Sequence, residues 1–159
     1  MATEAGTPTF ATRYPEEASV VRRAFLVAFV ALGVGALAGL IQALHRTNIL
    51  RIIPSADYYT VLTLHGVLLV IVFTIFFLVG VFQWAITRSL ERSPPNITFT
   101  KAWLGLMSLG SVMTGAAIVS GVISEVDASA DVLFTFYAPL QAHPLFYAGL
   151  AVFIVGTWL

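Results

Sequence analysis

The sequence predicts an all-α fold, a polytopic transmembrane helix bundle, and three observations carry that prediction. Hydrophobic residues make up 58% of the 159 residues and charged residues only 10%. A soluble domain carries roughly 25% charged residues. The mean hydropathy is correspondingly high, at +0.92. Long apolar runs also recur along the chain and are separated by short polar segments, as in a protein that crosses a bilayer several times.

The apolar runs give the number of spans. A helix needs about 20 apolar residues to cross a hydrocarbon core of about 30 Å. We place three full spans at residues 24–44, 59–86 and 102–123, and the start of a fourth near Pro144. The fourth run has only about 15 residues before Leu159, so we expect the chain to be the N-terminal piece of a larger protein. The predicted domains are a cytoplasmic tail, residues 1–23, and part of a transmembrane domain, residues 24–159.

The positive charges predict the orientation. Loops on the cytoplasmic side of a membrane protein carry an excess of Lys and Arg. The loop after the first span holds only Arg46 and Arg51, and the loop after the third span holds neither Lys nor Arg. The other six basic residues lie in the N-terminal tail and around the second loop: Arg13, Arg22, Arg23, Arg88, Arg92 and Lys101. We therefore expect a cytoplasmic N-terminus, with His65 about 10 Å into the second helix from its outer end.

The composition excludes several kinds of site. The formal net charge is zero, so no basic surface argues for nucleic acid. Cysteine is absent, which excludes disulfides, thiolate metal sites and iron–sulfur clusters within this chain. Histidine remains as the candidate ligand for a metal or a heme, at His45, His65 and His143.

His65 is the strongest candidate. It lies in a run, residues 59–87, that contains no Asp, Glu, Lys or Arg. An ionisable group inside a spanning helix is costly and marks a functional site, here a metal or heme ligand. Two alternatives remain open: a packing residue that hydrogen-bonds a neighbouring helix, and a proton relay, for which this span offers no carboxylate. Helical spacing predicts that the residues sharing its face would line an apolar macrocycle: Val61, Leu68, Leu69, Val72 and Phe76.

The remaining polar candidates have simpler interpretations. We expect His45 to lie at the interface, at the end of the first helix, and His143 to lie on the surface. Tyr137 belongs to an apolar stretch that we expect to pack onto the outer surface of the bundle. The acidic residues of the third loop are interpreted as solvated charges: Glu125, Asp127 and Asp131.

Small residues predict where helices approach closely. Gly35 and Gly39 form a GxxxG motif in the first span. In the third span the same spacing separates two pairs, Ser111 with Gly115 and Ala117 with Gly121. These motifs indicate packing inside a bundle rather than chemistry.

Residues 58–74, YYTVLTLHGVLLVIVFT, carry a resemblance to a known family. They resemble the second helix of subunit I of the heme–copper oxidases, in particular the type-B, ba-type group. Three other stretches agree in order and spacing: residues 14–16, YPE; residues 41–44, IQAL; and residues 135–140, TFYAPL, followed by His143 and residues 146–147, FY. The resemblance therefore spans most of the chain.

The resemblance implies a role for His65 as an axial ligand of a low-spin heme of b or a type, on the outer half of the membrane. It implies no catalytic residue in this chain, because the high-spin heme and copper ligands belong to later helices of the family. Type-A members carry an Asp-containing motif in the loop after the second helix, whereas residues 91–96, ERSPPN, contain no Asp. That absence favours the type-B group. One departure from the type-B pattern is Leu69, where relatives carry Asn.

The function implied by the resemblance is that of a respiratory terminal oxidase in a prokaryotic plasma membrane. Electrons would pass from cytochrome c or a small copper protein, through the dinuclear copper of subunit II and the low-spin heme, to a heme–copper centre that reduces dioxygen to water. Proton translocation is implied with it, and we expect this piece alone to be inactive. The near alternative is a nitric oxide reductase. The alternative from another class is a non-catalytic membrane protein whose His65 is a packing residue.

Overall fold

The computed structural model describes residues 9–49, 54, 58–124, 132–135, 138–141 and 143–158. Within these ranges the structure is a helical bundle, and three helices are long and apolar enough to cross a membrane. The predicted fold class is thereby confirmed. The helices are α1, Phe10–Arg13; α2, Pro15–Arg46; α3, Tyr58–Gly66; α4, Thr74–Leu90; α5, Ile97–Ser124; and α6, Pro144–Thr157. Helices α3 and α4 are two parts of one long helix. The two strands are β1, Val132–Thr135, and β2, Ala138–Gln141.

The first long helix begins earlier than its apolar run predicts. Helix α2 has Pro15 at its first position and two acidic residues, Glu16 and Glu17, in its first turn. Proline is compatible with that position, and acidic side chains favour the positive end of the helix dipole. The helix has 32 residues, a length of about 48 Å at 1.5 Å per residue. It therefore extends beyond a hydrocarbon core of about 30 Å, and the tail expected at residues 1–23 is partly helical.

The second long helix, Tyr58–Leu90, is not α-helical throughout. A π-helical segment, Val67–Phe73, joins α3 to α4. At the end of this segment the hydroxyl of Thr74 donates to the carbonyl of Leu69, at 2.9 Å. A π-helix pairs residues five apart, so the side chains after Gly66 rotate out of the register of an ideal α-helix.

Helices α5 and α6 pack closely through small residues, but Gly115 of the predicted pair Ser111 and Gly115 is not one of them. Of the other predicted pair, Ala117 is buried in the core, and the side-chain surroundings of Gly121 lie outside the described residues. A Cβ atom built on Gly110 would lie 2.5 Å from the backbone nitrogen of Phe153, whereas one on Gly115 would meet nothing within 4 Å. A Cβ atom built on Gly149 would lie 2.6 Å from the backbone nitrogen of Thr114. The contact face of α5 therefore includes Gly110 and Thr114 rather than Gly115.

Ion pairs join the N-terminal segment to the loop after the second long helix and to the start of α5. Arg13 contacts Glu91 at 3.0 Å, and Lys101 contacts Glu16 at 2.8 Å. The hydrogen bond and the opposite charge of Glu91 raise the pKa of the Arg13 guanidinium. All four side chains are exposed, so these pairs add little to stability. They do place the tail and this loop at one end of the bundle, which is the adjacency that the charge pattern requires.

Two short strands occupy part of the segment between α5 and α6. Strands β1 and β2 pair antiparallel, with Val132 opposite Gln141 and Thr135 opposite Ala138. The sequence indicated an apolar stretch here and no strands. The residues singled out in this region lie outside the described residues: Glu125, Asp127, Asp131 and Tyr137.

Candidate heme-ligand site

The His65 imidazole lies against helix α2. Its Nδ1 is 2.7 Å from the carbonyl oxygen of Gly35. A carbonyl only accepts hydrogen bonds, so Nδ1 donates a proton to it, and in the neutral imidazole Nε2 keeps its lone pair. Among the described residues Nε2 makes no hydrogen bond. In the neutral imidazole, Nε2 is the nitrogen available to bind a metal ion.

Two glycines of α2 allow this approach. A Cβ atom on Gly39 would lie 2.6 Å from Cε1 and 2.7 Å from Nδ1 of His65. A Cβ atom on Gly35 would lie 2.7 Å from a methyl carbon of Leu69. Real Cβ atoms essentially never come within 3.0 Å of another group. The close approach predicted for the GxxxG motif is confirmed, and the imidazole itself is one of the groups that approach.

His65 lines an open groove of about 620 Å³ between α2 and the start of the second long helix. Toward the middle of α2 the groove is apolar, formed by Ala36, Gly39 and Leu69. Toward the end of α2 it becomes polar. The side chains there are Gln42, Arg46, Thr47 and Tyr58.

Two polar side chains at that end have unused hydrogen-bonding capacity. The Nε2 of Gln42 is buried and has no partner among the described residues. Arg46 is exposed, and no ion pair of this residue is found within the described ranges. A buried polar group without a partner is unfavourable and calls for a ligand or water. The groove therefore offers an apolar wall, an imidazole and a donor-rich edge.

The face predicted around His65 is wrong in part. Only Leu69 of the expected companions lines the groove with the imidazole. Val72 and Phe76 are buried in the core instead, and the Phe76 ring packs 6.0 Å from that of Phe153. The π-helical segment explains the difference, because it begins directly after Gly66 and changes the register that the prediction assumed.

The other two histidines do not join the site. His143 is exposed and caps α6, since its Nδ1 accepts a hydrogen bond from the backbone nitrogen of Leu145 at 3.2 Å. His45 is half-buried at the end of α2, with its ring 5.6 Å from that of Tyr58. The described part of the chain brings together no group of three His, Cys, Asp or Glu residues that could hold a metal ion. A ligand bound here would be held by one imidazole.

Sequence reasoning missed the polar end of the groove. Gln42 and Arg46 follow Gly35 and Gly39 at spacings of three and four residues, which places all four on one helix face. That pattern was available as a signal, because a glutamine inside an apolar run is itself unusual. Tyr58 gave no such signal, since an aromatic residue at a membrane interface needs no further role.

Comparison with known proteins identifies the family of the chain. Residues 19–159 match the family described as Cytochrome C and Quinol oxidase polypeptide I. The chain is also similar to cytochrome c oxidase subunit 1 of Thermus thermophilus, with 38% identity over 154 residues. That alignment covers 92% of this chain and 26% of the relative. The resemblance to subunit I of the heme–copper oxidases is thereby confirmed, and the chain belongs to the cytochrome c and quinol oxidase polypeptide I family.

Proposed function

We propose that this chain forms part of subunit I of a respiratory terminal oxidase and that His65 supplies one axial ligand to a low-spin heme. The observation that carries the proposal is the hydrogen bond from His65 Nδ1 to the Gly35 carbonyl. Metal-binding histidines almost always donate their second ring N–H in this way, which fixes the tautomer and increases the basicity of the ligand nitrogen. Nε2 of His65 is then the ligand atom.

The groove suits a heme in its distribution of polarity. A heme has an apolar macrocycle and carries carboxylates on one edge. Ala36, Gly39 and Leu69 would contact the macrocycle, and Gln42 and Arg46 provide donors for carboxylates at the outer end. A low-spin heme, when bound, supplies an iron that takes up and releases one electron. The chain's part is to hold the imidazole in position and to satisfy its second nitrogen.

We infer the activity of the complete protein from its relatives. The complete subunit would pass electrons from cytochrome c or a small copper protein, through subunit II with its dinuclear copper, to a high-spin heme and copper centre that reduces dioxygen to water, with proton translocation. The printed name of the relative, cytochrome c oxidase subunit 1, supports this inference. The alignment with this chain covers 26% of that relative.

We assign the chain to the type-B group and to a multi-pass arrangement in a prokaryotic plasma membrane, with a cytoplasmic N-terminus. Residues 91–96 support the group, because they contain no Asp and their one carboxylate, on Glu91, is paired with Arg13. The charge pattern supports the orientation. These assignments go beyond the family membership itself.

A packing role for His65 is the alternative that one observation favours, since a structural histidine would also hydrogen-bond a neighbouring helix. Its Nε2 would then stay unused in the groove. A nitric oxide reductase is the nearer alternative, and the similarity to a cytochrome c oxidase subunit favours the oxidase.

The test is the substitution His65→Ala in the full-length subunit within its complex. The absorption bands of the low-spin heme should disappear, while the protein remains inserted in the membrane, because alanine is compatible with a spanning helix. His45→Ala and His143→Ala are matched controls that should leave those bands unchanged. Intact low-spin bands in His65→Ala would establish the packing role instead.

A further inference from the structure

A second groove, of about 700 Å³, lies between α2 and α5 and is separate from the His65 site. Both helices begin at the same end of the bundle, as the ion pair between Lys101 and Glu16 requires. The floor and walls of the groove are largely apolar, with contributions from Val20, Val27 and Leu104. It is therefore an elongated apolar surface between two parallel spanning helices.

Charged side chains lie at the mouth of this groove. Arg23, Lys101 and Glu16 all line it. Lys101 is paired with Glu16, with about half of each side chain exposed. Arg23 is exposed, and the described residues provide it with no ion pair. The three side chains together carry one net positive charge.

The mouth lies at the level of the lipid headgroups. Arg23 and Arg46 are 23 positions apart on α2, or about 34 Å at 1.5 Å per residue. That distance slightly exceeds a hydrocarbon core of about 30 Å, and the residues between the two arginines include no charged side chain. Arg23 therefore lies near one headgroup region when Arg46 lies near the other. The apolar part of the groove extends from Arg23 into the hydrocarbon.

We propose that this groove binds one anionic phospholipid, with its phosphate beside Arg23 and Lys101 and one acyl chain along α5. Basic pockets between transmembrane helices are suited to anionic headgroups, and each basic residue near the surface strengthens the attraction. Gly105 leaves space for the acyl chain, because a Cβ atom built there would meet nothing within 4 Å. The match between a basic mouth and an apolar groove selects a lipid over a soluble anion.

The charge part of the proposal is tested with the complete complex after it has been purified and depleted of lipid. The complex is titrated with phosphatidylglycerol or phosphatidylcholine, and binding is measured by native mass spectrometry. Phosphatidylglycerol should bind more tightly than phosphatidylcholine. Arg23→Gln should weaken phosphatidylglycerol binding about fivefold. The matched control is Arg22→Gln, an exposed neighbour that does not line the groove, and it should leave binding unchanged.

The sign of the effect is tested by Glu16→Gln. This substitution removes the negative charge at the mouth and releases Lys101, so phosphatidylglycerol should bind more tightly. A purely structural role for the ion pair predicts no such gain. Equal losses in Arg22→Gln and Arg23→Gln, or weaker binding in Glu16→Gln, would overturn the proposal.

The apolar part is tested by Gly105→Leu. A Cβ atom at this position meets nothing within 4 Å, so the larger side chain would extend into the groove, and leucine is a better helix former than glycine. It should abolish the tightly bound phosphatidylglycerol. Retention of that lipid would contradict the proposal. Equal affinity for the two lipids would also contradict it, and would arise if another protein segment occupied the groove. The low-spin heme bands should be unchanged in every variant, so this test fails or succeeds independently of the role of His65.

Discussion

A histidine within a membrane span must satisfy two ring nitrogens without water. In this chain Nδ1 is satisfied by the Gly35 carbonyl, and the absence of a side chain at Gly39 makes that contact possible. The remaining nitrogen, Nε2, has no hydrogen-bond partner among the described residues. It is therefore the atom that we propose for iron coordination.

Gly39→Ala should displace the imidazole, because the added Cβ atom would lie 2.6 Å from Cε1 of His65. Overpacking of this kind typically costs about 1–3 kcal/mol. We expect reduced occupancy or a shifted spectrum of the low-spin heme, measured on the full-length complex. Gly33→Ala is the matched control, since a Cβ atom there meets nothing within 4 Å. Equal spectra for the two variants would show that Gly39 does not position His65.

At the residue scale, the sequence alone was sufficient to select His65, because a lone ionisable group in a charge-free span is costly enough to be conspicuous. The sequence also makes Gln42 conspicuous, but it does not show that this side chain is buried. A glutamine near a helix end can turn toward solvent, and only the packing of α2 shows that its Nε2 is buried. The partner of His65 was also out of reach, since a backbone carbonyl leaves no mark in the sequence.

At the scale of elements, the apolar runs predicted the spans well and the faces poorly. Hydrophobic length fixes where a helix must cross, so the second and third runs, residues 59–86 and 102–123, both fall within observed helices. Side-chain direction depends on the local turn. The π-helical segment Val67–Phe73 is uniformly apolar, and such a sequence contains no pattern that reveals a change of register.

The packing of α5 on α6 yields a prediction at the same scale. Gly110→Ala should separate the two helices, because its Cβ atom would lie 2.5 Å from the backbone of Phe153, which cannot yield as a flexible side chain does. A loss of about 1–3 kcal/mol of stability is expected. Thermal denaturation of the full-length complex measures it. Gly115→Ala faces open space and should have little effect, so equal destabilisation by the two variants would reject this helix face.

At the scale of the whole molecule, the bundle has two distinct ends. One end gathers α1, the start of α2, residues 91–96 and the start of α5, through the ion pairs of Arg13 and Lys101. The other end contains the polar edge of the His65 groove, near the end of α2. The structure joins the elements that the charge pattern assigned to the same side, and the pattern alone predicts which side is cytoplasmic.

Cysteine labelling tests that orientation, and this chain contributes no cysteine of its own. Ile49→Cys lies after α2, at a position 74% exposed, and should react with an impermeant reagent added to intact cells that express the complete protein. Ser93→Cys, in the exposed loop between α4 and α5, should react only after the membrane is opened. The reverse pattern would place the N-terminus outside and the groove of His65 near the inner surface.

The central claim, that the His65 imidazole binds the low-spin heme iron, is tested most directly by ligand replacement. In the purified complex carrying His65→Gly, the low-spin heme bands should be absent, and free imidazole added to the solution should restore them by entering the space that the side chain vacates. Rescue by an external ligand separates coordination from a packing role. Low-spin bands that persist in His65→Gly without added imidazole would contradict the claim.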